Sequence, residues 1–183
     1  MFIASQLRKE NIAQYLLYMW QVEDIIRANG LDLEAIDRNV CSRFPAEQRR
    51  QLLEWYESLI DMMRREEVAE KGHLQLNKNT LGQLADLHRQ ILADARPKFD
   101  AYHKEFYNTL PFIVELRSRA GEEKVGEIET CFNALYGMLM MRLSKKEISA
   151  ETQRALDCIS KFIAMLSRDF HLDENDELFT DKK

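Results

Sequence analysis

The stretch from Ile12 to Ile26, IAQYLLYMWQVEDII, constrains this chain more than any other. Apolar or aromatic side chains stand at Ile12, Tyr15, Leu16, Leu17, Tyr18, Met19, Trp20, Val22, Ile25 and Ile26. At about 3.6 residues per turn they cover most of a helix circumference instead of one stripe. A helix of this kind needs neighbours on several sides, so it predicts a bundle organised around a central N-terminal helix. The run is too short and too interrupted by charge to match the roughly 18 apolar residues of a membrane span, and no membrane partner is expected.

The rest of the composition agrees with an all-α fold. Six Gly and three Pro are few for 183 residues, and β-branched Val and Thr are scarce beside Leu, Ala, Glu, Lys, Arg, Gln and Met. The periodicity predicts about six helices in an irregular bundle, forming a single domain over residues 1–172. A first helix from Ser5 to Ala28 ends at Asn29-Gly30, a pair suited to the left-handed C-terminal position. A short second helix lies within Leu31–Phe44, and Pro45 opens a third over Ala46–Lys71, where a missing N–H is harmless. Residues 73–79, HLQLNKN, read as a loop. Thr80 and Gln83 have capping-box spacing and predict the next helix start. Its ladder Leu84, Leu87, Ile91, Phe99, Tyr102, Phe106 and Ile113 passes Pro97 and Pro111, where kinks or breaks are expected, and Ala120-Gly121 closes it.

The clearest pattern is at the C-terminal end. Val125, Ile128, Phe132, Leu135, Leu139 and Leu143 run at gaps of three, four, three, four and four, and Leu156, Ile159, Ile163, Leu166 and Phe170 at three, four, three and four. A short linker predicts an antiparallel helix hairpin, with Ser149 capping the second helix. From Asp173 to Lys183 the chain carries five acids against two lysines and loses its period, so a disordered acidic tail is expected there.

The net charge of -5 is concentrated in that tail, and the nearly neutral remainder gives no drive toward nucleic acid. Cys41, Cys131 and Cys158 are odd in number and widely spaced, which points to reduced core thiols. The N-terminus lacks the apolar segment and small-residue cleavage site of a leader, so a cytoplasmic location is expected.

Chemistry-bearing motifs are weak. Glu70-x-x-His73 and Asp100-x-x-His103 have half of a di-iron pattern, without the two further glutamates it needs. Arg96 and His103 are spaced as in the HEPN helical ribonucleases, but Pro97 intrudes and no basic groove accompanies them. Phosphate loops, nucleophile elbows and HExxH are absent from the sequence. No catalytic residue, metal or cofactor is expected. The methionine-rich GMLMMRL, residues 137–143, reads as core in preference to an adaptable binding surface.

The polar residues of most interest are set in apolar runs: Glu23, Asp24 and Arg27 near the N-terminus, Glu115 and Arg117 in PFIVELRSR, and Glu129 and Asn133 in IETCFNALYGM. Glu23 and Arg27 stand i, i+4 and can pair. A buried charge is costly unless it is paired and hydrogen-bonded, so those that face inward should find each other, with His73 or His88 nearby. Convergence would outline either a structural polar core, the favoured reading, or a small binding pocket.

The segments ENIAQYLLYMWQVEDIIRA, EKGHLQLNKN, LPFIVELRSRAG and EIETCFNALYGMLMMRLSKKEIS resemble a family of uncharacterised proteins of the Bacteroides group, domain-of-unknown-function family 4924. The resemblance runs from about Leu7 to Phe170 and implies an all-helical domain of bacterial, cytoplasmic origin. It brings no activity or site residue with it. The function expected is therefore that of a non-enzymatic interaction or scaffold protein, paired with itself as a homodimer or with a protein partner. The alternative is a small-ligand binder or enzyme with a polar pocket between helices.

Overall fold

The computed structural model describes residues 2–119 and 125–180. These form eight α-helices: α1 Phe2–Glu10, α2 Ile12–Ala28, α3 Leu33–Asn39, α4 Ala46–Arg65, α5 Gln75–Ala93, α6 Asp100–Arg119, α7 Glu127–Leu143 and α8 Ala150–Glu174. Two 3-10 turns, Cys41–Arg43 and Pro97–Phe99, complete the described secondary structure, which contains no strand. The all-α class holds, and the helix count is eight instead of six. The chain divides into two compact units, one comprising residues up to Glu10 with Gln14–Thr80, the other Asn11–Ala13 with the chain from Leu81 onward.

The expected first helix is two helices, because the chain breaks at Asn11. Asparagine is a poor interior residue and a strong N-terminal cap. Within the second unit the Ser167 hydroxyl donates to Asn11 Oδ1 at 3.0 Å and accepts the Ala13 N–H at 3.4 Å, so a donor at the start of α2 is satisfied by a distant residue.

In the first unit Met19, Val22 and Ile26 of α2 pack with Ile36 of α3 and Tyr56, Leu59, Ile60 and Met63 of α4. The α4 helix ends at Arg65, six residues before the expected Lys71. Glu67 takes φ +58°, and the Val68 N–H reaches back to the Met63 carbonyl at 3.0 Å while its side chain is buried. This is a Schellman closure. The same long bond closes α2 from Leu31 to Ile26 (3.0 Å), α7 from Lys146 to Met141 (2.9 Å) and α8 from Glu177 to Leu172 (2.8 Å). Only α2 has a glycine, Gly30, in the left-handed position; α4, α7 and α8 use Glu67, Lys145 and Asp176. A side chain there costs about 1 kcal/mol. Glu67 is exposed, so Glu67→Gly should raise stability by about 0.5–1 kcal/mol in urea unfolding.

The α5 helix begins at Gln75, within the stretch expected to be a loop, and not at Thr80. Thr80 lies inside it and its hydroxyl donates to the Leu76 carbonyl at 3.0 Å. The local capping box is bypassed because two carboxylates from elsewhere serve the helix start. Glu23 accepts the Leu74 N–H at 2.9 Å and Glu66 accepts the Gln75 N–H at 2.6 Å.

In the second unit α6, α7 and α8 are in mutual contact. Leu156, Ile159, Ile163, Leu166 and Phe170, the apolar ladder of α8, are all buried. The Ser149 hydroxyl accepts the Thr152 N–H at 3.2 Å and caps α8 as expected. The chain breaks before Pro97, whereas Pro111 is carried inside a continuous α6. Glu174 still belongs to α8, and the chain beyond it returns to the fold: Leu178 is buried, the Phe179 ring lies 5.6 Å from Phe99, and Arg96 donates to the Phe179 carbonyl at 3.0 Å. Apolar Leu178 and Phe179, set among the acids, account for this departure from the expected tail. The expected closure at Ala120-Gly121 and the tail residues 181–183 lie outside the described residues.

Candidate functional site

Glu23 is the most constrained polar group of the first unit. It points from α2 with none of its surface exposed, so its charge requires donors from the protein. Oε2 lies 2.6 Å from His73 Nδ1, while Oε1 accepts from the Leu74 N–H at 2.9 Å and from Asn77 Nδ2 at 2.6 Å. With Glu23 ionised, Nδ1 carries the imidazole proton and donates it to Oε2. The indole of Trp20, one turn earlier on α2, stacks on the His73 ring at 4.2 Å and 13°. Carboxylate and indole together fix both the position and the plane of the imidazole.

Asp24 and Arg27 join this cluster at its edge. Arg27 pairs with Asp24 at 2.9 Å, not with Glu23 as the i, i+4 spacing predicts. Its other terminal nitrogen donates to the carbonyls of Val68, at 3.2 Å, and Gly72. Gly72 adopts φ +86°, and a Cβ there would sit 3.5 Å from Val68, so glycine lets the chain turn beneath the guanidinium. The segment between α4 and α5 is thereby held to α2 by an anion at one point and a cation at another.

The remaining sequence candidates belong to the second unit. Glu115 is exposed on α6 and pairs with Arg119, and Arg117 is half-buried on the same helix. Glu129 is half-buried and Asn133 exposed on α7. Of the expected cluster, Glu23, Asp24, Arg27 and His73 are grouped within the first unit. Arg96 and His103 are bound up in local structure: Arg96 pairs with Asp94, holding that carboxyl down at about 2, and His103 Nε2 lies 2.8 Å from the Ile91 carbonyl. Among the described residues, no group of three or more His, Cys, Asp or Glu side chains is placed to hold a metal ion.

His88 anchors a separate polar group in the second unit. It is buried against the edges of Phe106 and Phe162, at centroid distances of 4.7 and 5.5 Å. Burial holds its pKa below the usual histidine range, with Glu127 acting in the opposite direction. Assigned with its proton on Nε2, toward Glu127 Oε2 at 3.7 Å, the ring accepts the Tyr102 hydroxyl at Nδ1 over 2.8 Å. Burial and the nearby Asp169 charge both push the Tyr102 phenol up. Cys131, also buried, is pushed up to about 12 and is a core thiol, like buried Cys41, whereas Cys158 is half-buried.

Asp169 on α8 went unread in the sequence, because an Arg-Asp pair in a helix looks like surface. It is only 3% exposed. Burial raises its pKa, and the Arg168 charge offsets this in part. A carboxyl raised in the folded state stabilises fully below its unfolded pKa and loses that contribution as pH rises through the folded pKa. Asp169→Asn should therefore match the wild type below about pH 3 and gain on it as pH rises toward 7, read as the difference in urea midpoints.

The far end of α7 differs from every other apolar stretch. Burial along this helix stops at Leu135; Met138, Leu139, Met140 and Met141 are only half-buried, and Leu143 is 65% exposed. The expectation that GMLMMRL forms core is corrected. Four consecutive residues point around the whole circumference, so no side of this turn is seated in the interior. A Cβ built on Gly137 would meet nothing within 4 Å.

Fold and sites together define an all-helical protein with a stapled carboxylate–imidazole cluster and a half-buried apolar helix end. Among the described residues no helix is long and apolar enough to cross a membrane. The chain belongs to the family described as Domain of unknown function (DUF4924), whose model matches residues 1–177. No curated protein and no solved structure matches it.

Proposed function

We propose that this protein is a non-enzymatic interaction module, of bacterial and cytoplasmic setting, that pairs with a second copy of itself through the C-terminal end of α7. The observation that carries this reading is the partial exposure of GMLMMRL, half-buried from Gly137 to Met141 and exposed at Leu143. Apolar surface left in water forgoes about 25 cal/mol per Å2, and a contiguous patch of it marks an interaction surface more often than an isolated exposed leucine does. Methionine suits the role, being unbranched and able to repack against a partner.

A second copy fits best because residues 137–141 carry no charge. An uncharged patch is compatible with itself across a two-fold axis, and Arg142, just beyond it, can lie off that axis, since only a charge on the axis meets its own image. Gly137 leaves the helix backbone approachable on one side. The Glu23–His73 cluster has a structural part in this reading: it fixes the start of α5.

Hydrogen exchange at two protein concentrations tests the proposal. Amides in the last two turns of α7 should gain protection at high concentration, while those of α4 stay unchanged. Concentration-independent exchange throughout α7 would contradict it.

A further inference from the structure

A cavity of about 410 Å3 opens in the second unit beside Phe99 and Tyr102, with Asp169 and Leu172 of α8 and Leu178 of the following segment in its wall. We infer that this cavity binds a small organic ammonium ion, with Asp169 as its counter-ion and the apolar wall holding the carbon skeleton. The inference is independent of self-association.

Asp169 carries the argument. Its Oδ1 accepts both Arg168 Nε, at 2.8 Å, and Arg168 Nη2, at 2.6 Å. Its Oδ2 accepts no hydrogen bond from any described residue. A carboxylate this buried keeps its charge at a cost unless both oxygens are served. The side chain lines a cavity large enough for an organic molecule. A primary ammonium, with three donors, supplies what Oδ2 lacks.

The other charged groups of the wall favour a cation over an anion. Lys98 is exposed and donates to the Thr180 carbonyl at 3.3 Å, and Arg168, 64% exposed at its side chain, is occupied by Asp169. Glu177 adds a second negative charge. The cations are thus at the solvated rim, whereas the desolvated charge is negative. Phe99, Leu172 and Leu178 offer the apolar wall that a polyamine would not need and an arylalkyl or alkyl amine would fill.

Calorimetric titration of the whole protein with 2-phenylethylammonium, 3-phenylpropionate and 2-phenylethanol tests the assignment, since the three share a skeleton and differ in the head group. The ammonium should bind about tenfold or more tightly than the other two, as expected for one charge-assisted hydrogen bond. Asp169→Asn should remove that preference. Ala101→Trp, a substitution of an exposed residue of the wall that leaves Asp169 intact, should block all binding while circular dichroism stays unchanged. Equal affinity for the three probes, preference for the carboxylate, no binding of the ammonium, or a preference that survives both variants would overturn the inference.

Discussion

Replacing Glu23 with alanine is expected to cost about 3–5 kcal/mol of folding stability, the range seen when one partner of a buried pair is removed. Three donors converge on this carboxylate, from His73, the Leu74 N–H and Asn77, and the substitution strands all of them. The buried Leu74 N–H and Asn77 each cost about 1–3 kcal/mol when stranded, whereas the half-buried His73 can turn to water, which recovers part of the loss. Total stability for a chain of this size is about 5–15 kcal/mol, so the variant would sit near the edge of folding at 25 °C. Glu23→Gln should be milder, because the amide oxygen can still accept from Leu74 and Asn77. Urea unfolding of the three proteins checks the order wild type, Gln, Ala; an alanine variant within about 1 kcal/mol of wild type would show that the cluster does not hold the start of α5.

Phe162→Ala should be comparably severe, at about 3–5 kcal/mol. Phe162 is fully buried on α8, and its ring lies 5.5 Å from His88, 5.5 Å from Tyr102 and 5.6 Å from Phe106. Such aromatic contacts add to the area buried. Truncation leaves a cavity beside the His88–Tyr102 hydrogen bond, which α6 and α8 can close only by moving rigid rings. Phe162→Leu retains most of the volume and should lose much less. Differential scanning calorimetry separates the two, and equal melting temperatures for Ala and Leu would mean that this site collapses without a void.

How far the sequence disclosed these features depends on the range of the interaction involved. The wide apolar girth of Ile12–Ile26 foretold a helix needing neighbours on several sides, and Met19, Trp20, Val22 and Ile26 are indeed buried. Glu23 in that setting announced a need for partners. It could not name His73 and Asn77, which lie some fifty positions away; local spacing suggested Arg27. The start of α5 was misplaced for the same reason, since Glu23 and Glu66 replace a local cap. Helix ends were legible where Gly30 marked one and illegible where Glu67, Lys145 and Asp176 adopt the same backbone without glycine. For GMLMMRL, periodicity identified an apolar helix but carries no information on whether its neighbours lie in the same chain.

Self-association through the end of α7 would supply those neighbours from a second copy. Native mass spectrometry of the wild type beside Leu143→Lys tests it most directly, because Leu143 is 65% exposed and its substitution should leave the fold intact. The wild type should be a homodimer and the variant should shift to monomer. A wild type that is monomeric at micromolar concentration, or a dimer indifferent to the lysine, would contradict it.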